Sequence, residues 1–95
     1  MMFSDAFMAI ADPNRRYLLE ELRRGPKTVN ELAAGLPVSR PAVSQHLRVL
    51  LDAGLVNAKA EGTRRVYTVS TAGFLRLNVW LDQFWEVEEI GTPGS

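Results

Sequence analysis

The chain has 95 residues, 46% of them apolar, and its eleven basic and eleven acidic side chains leave no formal net charge at neutral pH. This length predicts a single domain, residues 1–95, with a modest core. The absence of cysteine excludes disulfides and thiolate metal sites, and no run of about 18 apolar residues predicts a membrane span. The first residues lack the basic start and cleavage site of a signal peptide, so we expect a cytoplasmic protein.

The N-terminal part is predicted to be helical. Residues 3–11 form a short apolar segment, and the helix that follows begins with Asp12 as N-cap and Pro13 at its first position. Basic residues in the last turn and Gly25 after it indicate where this helix ends. We therefore predict a helix of about three turns after the apolar start.

Two further helices form the centre of the chain. Thr28 and Glu31 have the spacing of a capping box, and the helix that they open can run only to about Gly35. Ser39 begins the next helix, which ends near Ala53, before a glycine suited to a left-handed C-terminal position. Two helices joined by a short turn predict a helix-turn-helix at about residues 28–53.

A β-hairpin and a long helix complete the predicted fold. Residues 55–60 and 64–70 alternate loosely around a glycine-containing turn, which is typical of a hairpin over about residues 55–69. The last helix opens at Ser70 or Thr71 and covers about residues 71–89. The predicted architecture is mainly α with a small β-hairpin, the arrangement of a winged helix-turn-helix.

The helix after Ser39 has two contrasting faces. At 100° per residue its apolar side chains share one arc that is expected to face the core: Val43, Leu47, Leu50 and Leu51. The opposite face carries Pro41, Ser44, Gln45 and Arg48, with His46 on one flank. This face lacks the oppositely charged (i, i+4) pairs of an ordinary solvated helix, and no acidic residue occurs between Leu32 and Leu51.

That composition suits DNA. Glutamine can bind adenine through two hydrogen bonds, serine and arginine can contact bases or phosphates, and a carboxylate here would repel the DNA backbone. Residues 27–65 also contain six basic and three acidic side chains, a local excess of three positive charges. The sequence therefore favours a recognition helix in a major groove over an ordinary polar face.

The hairpin offers a second contact. Arg64 and Arg65 follow Thr63 just past its tip, where a wing would lie beside a phosphate strand or the minor groove. Two solvated arginines are the alternative interpretation. Because neighbouring strand residues point to opposite faces, we expect only one arginine to be well aimed at DNA.

Three segments carry a resemblance to a known family: "ADPNRRYLLEEL", "TVNELAAGLPVSRPAVSQHLRVLLDAGLV" and "EGTRRVYTVS". Over about residues 3–85 the chain resembles the winged helix-turn-helix repressors of the ArsR/SmtB family. The resemblance implies a homodimeric bacterial transcriptional regulator that binds an operator in double-stranded DNA and represses. It assigns DNA-facing positions to Ser39, Arg40, Ser44, Gln45, His46 and Arg48, and wing positions to Arg64 and Arg65; Pro41 and Thr63 complete the predicted DNA-binding set.

The chain departs from the family at its metal sites. Metal-sensing members carry cysteines around the first helix of the motif, or acidic and histidine ligands on the last helix, and neither set is present. The single histidine, His46, lies on the predicted recognition helix. We therefore predict no metal and no cofactor, and we interpret Glu86, Glu88 and Glu89 as a solvated helix end. Leu51 replaces the family's usual charged residue and lies at the edge of the apolar arc.

The last helix has more apolar surface than one small domain can cover. Its large apolar side chains span an arc of about 160°, wider than the roughly 100° needed for one core contact: Phe74, Leu77, Trp80, Leu81, Phe84, Trp85 and Val87. Phe3, Phe7 and Met8 give the first helix a similar excess. We predict a two-fold dimer through these helices, which would place two recognition helices about 34 to 36 Å apart on a palindromic site. The alternative is that the aromatic residues fill the monomer core or a ligand pocket.

Other functions are less well supported. The sequence has no cysteine, no histidine with a nearby aspartate and no Walker-type loop, all of which are typical of catalytic sites. We therefore do not expect an enzyme. A winged-helix module for protein interaction or small-molecule sensing is the alternative function, favoured by the zero net charge and the apolar last helix. The two functions are compatible, because a small-molecule effector at the dimer interface could change the spacing of the recognition helices.

Overall fold

The computed structural model describes the backbone of residues 2–91 and the side chains of residues 6–85. The described chain contains five helices and three strands: α1 Met2–Ala9, α2 Pro13–Arg23, β1 Lys27–Thr28, α3 Val29–Ala33, α4 Arg40–Asp52, β2 Val56–Glu61, β3 Arg64–Val69 and α5 Thr71–Gly91. This order is the predicted winged helix-turn-helix, with α3 and α4 as the motif and β2 and β3 as the wing.

The helix starts follow from short polar side chains, as predicted. The Asp12 carboxylate accepts from the backbone amides of Asn14 and Arg15 at 2.7 and 3.1 Å. At α3 the Thr28 hydroxyl accepts from the Glu31 amide, while the Glu31 carboxylate accepts from the Thr28 amide at 2.8 Å. Each cap satisfies amides that have no partner within the helix, and a cap of this kind contributes about 1 kcal/mol.

The sheet has one more strand than the sequence predicts. β1 pairs with β3 in antiparallel register, Lys27 opposite Tyr67 and Thr28 opposite Val66, so the strand order is β1-β3-β2. The predicted two-stranded hairpin was therefore incomplete. Two residues are too few to show alternation, and the pairing joins residues about 40 positions apart.

The core lies between the helix-turn-helix, α2 and the sheet. Val43, Leu47 and Leu50 are fully buried, which confirms the predicted inward arc of α4. Leu51 is half-buried and packs against the edge of that core. Each fully buried leucine contributes about 1.5 to 3 kcal/mol, so the arc holds α4 in place and leaves its other face free.

α5 begins against the end of α4. Its first turn is capped by Ser70, whose hydroxyl accepts from the Gly73 amide at 3.2 Å. A side chain on Gly73 would overlap the carbonyl oxygen of Gly54, which follows α4 with a φ of 78°. The two backbones are therefore in direct contact, and Leu77, one turn further along α5, is buried in the core. Within residues 2–91 no helix is long and apolar enough to cross a membrane.

Candidate nucleic-acid interface

A groove of about 850 Å³ runs between the outer face of α4, the wing and the start of α3. Eight of the ten predicted DNA-binding residues line it: Arg40, Pro41, Ser44, Gln45, Arg48, Thr63, Arg64 and Arg65. All eight are exposed. The fold therefore brings the polar face of α4 and the tip of the wing to one concave surface, although they are about 20 residues apart in the chain.

The two remaining predicted residues lie outside the groove lining. The Ser39 hydroxyl accepts from the Ala42 amide at 3.2 Å, so this side chain caps α4. His46 is half-buried, and its Nδ1 lies 3.3 Å from Nη1 of Arg15 on α2. Because a guanidinium only donates, His46 Nδ1 accepts in this pair.

Arg15 connects α4 to the end of α1. Its Nε donates to the Ala9 carbonyl at 2.7 Å, and its Nη2 donates to the Met8 carbonyl at 3.1 Å. One side chain therefore holds the C-terminal end of α1 and also contacts the helix that carries Gln45. Sequence reasoning missed this role, since two of the partners are backbone carbonyls and the third is 31 residues away.

The polar face of α4 is not free of ion pairs. Arg48 Nε lies 3.3 Å from the Asp52 carboxylate one turn later, and both side chains are about 70% exposed. The expectation that this face lacks an (i, i+4) pair was wrong, because Asp52 lies just beyond the acid-free stretch. A pair so exposed contributes between about 0 and 1 kcal/mol, so Arg48 can exchange this partner for another at little cost.

Both wing arginines line the groove, although they are neighbours on one strand. Arg64 lies opposite Glu61 in the β2–β3 register at the tip of the hairpin, and the Arg65 guanidinium lies 5.9 Å from the centre of the Tyr67 ring. That distance is near the limit of a cation–π contact. Strand alternation alone therefore does not decide which arginine is well aimed.

The start of α3 carries a carboxylate that serves the fold. The hydrogen bond from the Thr28 amide lowers the pKa of Glu31; partial desolvation opposes this, while the Thr28 hydroxyl and the charges of Lys27 and Arg64 add to it. Glu31 therefore stays ionised and engaged in its cap at neutral pH. Asn30, exposed beside it, lines the groove and was not predicted.

A second surface, opposite in character, lies along α5 and the end of α1. We call it the α5 apolar face and define it by its exposed members, with exposed fractions in parentheses: Met8 (70%), Leu81 (39%), Phe84 (59%) and Trp85 (53%). Half-buried Trp80 joins it to the domain, with ring centres 4.9 Å from Phe7 and 4.6 Å from Phe84. These residues belong to the predicted dimer interface.

Other predicted interface residues are placed differently. Leu77 is only 5% exposed and packs within the protomer, and Phe74 is half-buried against the core. Phe3, Val87 and the glutamates after Trp85 lie outside the described side chains. The sequence did not point to Leu75 and Val79, which are 57% and 61% exposed on the side of α5 roughly opposite Leu77.

Comparison with known proteins decides the family. The family described as "Bacterial regulatory protein, arsR family" matches residues 12–58. The HTH-type transcriptional regulator Rv2034 of Mycobacterium tuberculosis is 54% identical over 80 residues, which cover 84% of this chain and 75% of that protein. The chain belongs to the arsR family of bacterial regulatory proteins.

Solved structures of an ArsR family regulator and of a protein described as a possible ArsR-family regulator agree with this fold. The crystal structure of the ArsR family transcriptional regulator RHA00566 matches with a TM-score of 0.88 and 32% identity, covering 94% of this chain and 98% of that one. The homodimeric winged helix-turn-helix DNA-binding domain of Mb0332 from Mycobacterium bovis matches with a TM-score of 0.73 and 25% identity, covering 92% and 81%.

Membership of the arsR family makes the chain a DNA-binding transcriptional regulator, as predicted, and not an enzyme. A structural or catalytic metal site in a protein needs several clustered ligands. Among the side chains of residues 6–85, no group of three or more histidine, cysteine, aspartate or glutamate residues could hold a metal ion.

Proposed function

We propose that the chain binds a palindromic operator in double-stranded DNA as a homodimer and represses transcription. The observation that carries this proposal is the groove between α4 and the wing, which collects Gln45, Ser44 and four arginines on one exposed surface. Its acid on α4, Asp52, is already paired with Arg48. The surface therefore offers base-reading amide and hydroxyl groups beside cations that can bind phosphate.

The two walls of the groove have different roles. Gln45 and Ser44 lie in the middle turns of α4 and are proposed to contact base edges in the major groove. Arg40 at the start of α4 and the two wing arginines would hold the phosphate strands on either side. Arg48 would exchange the carboxylate of Asp52 for a base or a phosphate. Ser39 and His46, at the margin of the groove, would act mainly by fixing α4.

The dimer is supported by the α5 apolar face. Exposed Phe84 and Trp85 would be covered by a second copy, since contiguous apolar surface of this kind marks an interface. The homodimeric state of the similar Mb0332 domain favours the same assembly here. Two copies of α4, related by a two-fold axis, would read successive major grooves and therefore a palindromic site.

The same apolar face also favours a second function, binding to another protein. The salt dependence of the binding affinity distinguishes DNA binding from binding to another protein. Phosphate contacts release counterions, so operator affinity should fall steeply as salt rises, whereas an apolar protein interface should respond weakly.

The test is fluorescence anisotropy with a labelled duplex from the promoter region of the protein's own gene and a scrambled duplex, at several salt concentrations. We expect selective binding with a steep negative salt slope. In the same assay Gln45→Ala should lose operator affinity, whereas its matched control Gln83→Ala, the same change at an exposed helix position that does not line the groove, should keep it. Equal, weak binding to every duplex in a genome-wide DNA selection, with a flat salt slope, would contradict the proposal.

A further inference from the structure

Two apolar depressions meet at Ile10 and Phe74, beside the turn between α1 and α2. One has a volume of about 340 Å³ and is walled by these two residues together with Leu19 of α2 and Val69 at the end of β3. The other, about 480 Å³, continues along α5 past Leu77 and Leu81. They share walls but differ in the charges around them.

The depression along α5 has no charged side chain in its lining within the described part of the chain. Its walls include members of the predicted dimer interface, so a second copy of this chain suits it. The smaller depression differs because Arg16, Glu20 and Arg23 of α2 border it. These residues are spaced four and three apart and so share one face of the helix.

Arg16, Glu20 and Arg23 form the rim of the smaller depression, and backbone hydrogen bonds hold Arg16 in place there. Arg16 Nη1 donates to the Ile10 and Ala11 carbonyls at 2.9 and 3.1 Å, which fixes this guanidinium beside the depression. Among the described side chains, neither Arg16 nor Arg23 lies within 4.0 Å of a carboxylate. Two cations and one Glu20 carboxylate give the rim a net charge of +1, which matches a monoanion.

We infer that the smaller depression binds a small amphipathic organic monoanion. The apolar body would lie between Leu19, Val69 and Phe74, and its carboxylate or sulfonate would bind Arg16 and Arg23, since guanidinium groups bind such anions through paired hydrogen bonds. The volume lies at the lower end of the 300 to 1,000 Å³ typical of small-molecule sites. None of these residues lines the α4 groove.

The site would touch elements used in DNA binding. Val69 ends the strand that carries the wing arginines, and Phe74 lies in the first turns of α5. A bound anion would therefore contact both the wing and the helix proposed to form the dimer. The inference rests on the proposed function only where the larger depression is assigned to a second copy; anion binding itself does not require operator binding.

The test uses 8-anilinonaphthalene-1-sulfonate, an aromatic monoanion that fluoresces in apolar sites, titrated against the full chain at concentrations where sedimentation shows one assembly state. Decanoate and the neutral decanamide then compete for the probe. We expect one displaceable probe per chain and at least tenfold better competition by decanoate. In Arg16→Gln/Arg23→Gln this preference should be lost, whereas Arg24→Gln, an adjacent charge change outside the rim, should keep it.

Equal competition by the acid and the amide, or unchanged binding in Arg16→Gln/Arg23→Gln with a wild-type circular dichroism spectrum, would overturn the inference. Probe binding that disappears on dimerisation would also overturn it, because a second copy would then fill the depression. Operator anisotropy on the same proteins keeps the two proposals apart: the double variant should bind the operator within twofold of the wild type, and a wild type that binds no operator would affect only the DNA proposal.

Discussion

The α4 groove and the α5 apolar face differ in where their apolar side chains go. α4 buries Val43, Leu47 and Leu50 inside its own domain, and so its outer face is left with polar and basic groups. α5 buries Leu77 but leaves Phe84 and Trp85 more than half exposed. A helix whose main apolar arc is covered by its own domain can present groups that recognise a ligand, whereas exposed aromatic rings on a helix favour contact with a second surface.

The largest effect is expected from truncation of Trp80, which should disrupt the α5 apolar face. Trp80 is half-buried against Phe7 and Phe84, and a second copy would cover the rest of it; loss of an aromatic side chain from such a buried site costs about 3 to 5 kcal/mol. We expect Trp80→Ala to be unfolded or monomeric by circular dichroism and sedimentation.

Phe84→Ala provides the gentler variant on the same face, because Phe84 is 59% exposed within the protomer. It should remain folded but shift towards monomer. If both variants stayed fully folded and fully dimeric, the α5 apolar face would not be the interface.

Truncation of Gln45 should weaken DNA binding by the α4 groove and leave the α5 apolar face intact. Loss of a two-hydrogen-bond base contact costs about 1 to 3 kcal/mol and relaxes the preference at that base pair. We expect Gln45→Ala to remain dimeric while its operator affinity, measured by anisotropy, falls by that amount. Unchanged affinity would mean that the outward face of α4 does not read DNA.

The wing arginines sharpen the comparison within the groove itself. If Arg64 and Arg65 bind phosphate, replacing either with alanine should weaken all sequences alike and reduce the salt slope by about 1. Both single variants are needed, since both arginines line the groove. A change in sequence preference without a change in slope would assign the altered arginine to a base instead.

Acid should affect the starts of α2 and α3 to a small degree. Partial desolvation raises the pKa of Asp12, but the hydrogen bonds from the Arg15 and Asn14 amides, together with the nearby His46 and Arg15 side chains, outweigh it and lower the pKa; the Thr28 amide lowers the pKa of Glu31. A depressed pKa adds stability that is present above the ordinary carboxyl pKa and is lost as pH falls through the lowered value. Thermal unfolding should therefore occur at lower temperature below about pH 4.

Asparagine caps as well as aspartate but does not titrate. Asp12→Asn should accordingly fold at pH 7 and lose less stability than the wild type on acidification. An identical pH dependence in the two proteins would show that the Asp12 cap contributes nothing to it.

How much of this could be predicted depended on the distance between partners in the chain. The caps at Asp12 and Thr28 join residues two or three apart, so a single local pattern was enough. β1 was not predicted because its partners lie near Tyr67, about 40 residues away. The contact between Arg15 and His46 was missed for the same reason, since it spans 31 residues. The site followed the same rule: the polar face of α4 was visible from helical periodicity, whereas its meeting with the wing depended on packing.

The apolar arc of α5 was predicted, but its orientation was not. Helical periodicity groups Leu77 with Phe84, yet one is buried within the protomer and the other faces solvent. The direction in which a long helix leaves its domain sets that division. Here it also left Leu75 and Val79 exposed, which no local pattern in the sequence indicated.

The contact between Gly54 and Gly73 couples the end of α4 rigidly to the first turn of α5. No side chain lies between these backbones, so a movement of the first turn of α5 cannot be absorbed by a change of rotamer. We therefore expect the end of α4 and the start of α5 to move together. In a dimer joined through α5, a small rotation of α5 at this contact would also rotate α4, and with it the face that holds Gln45.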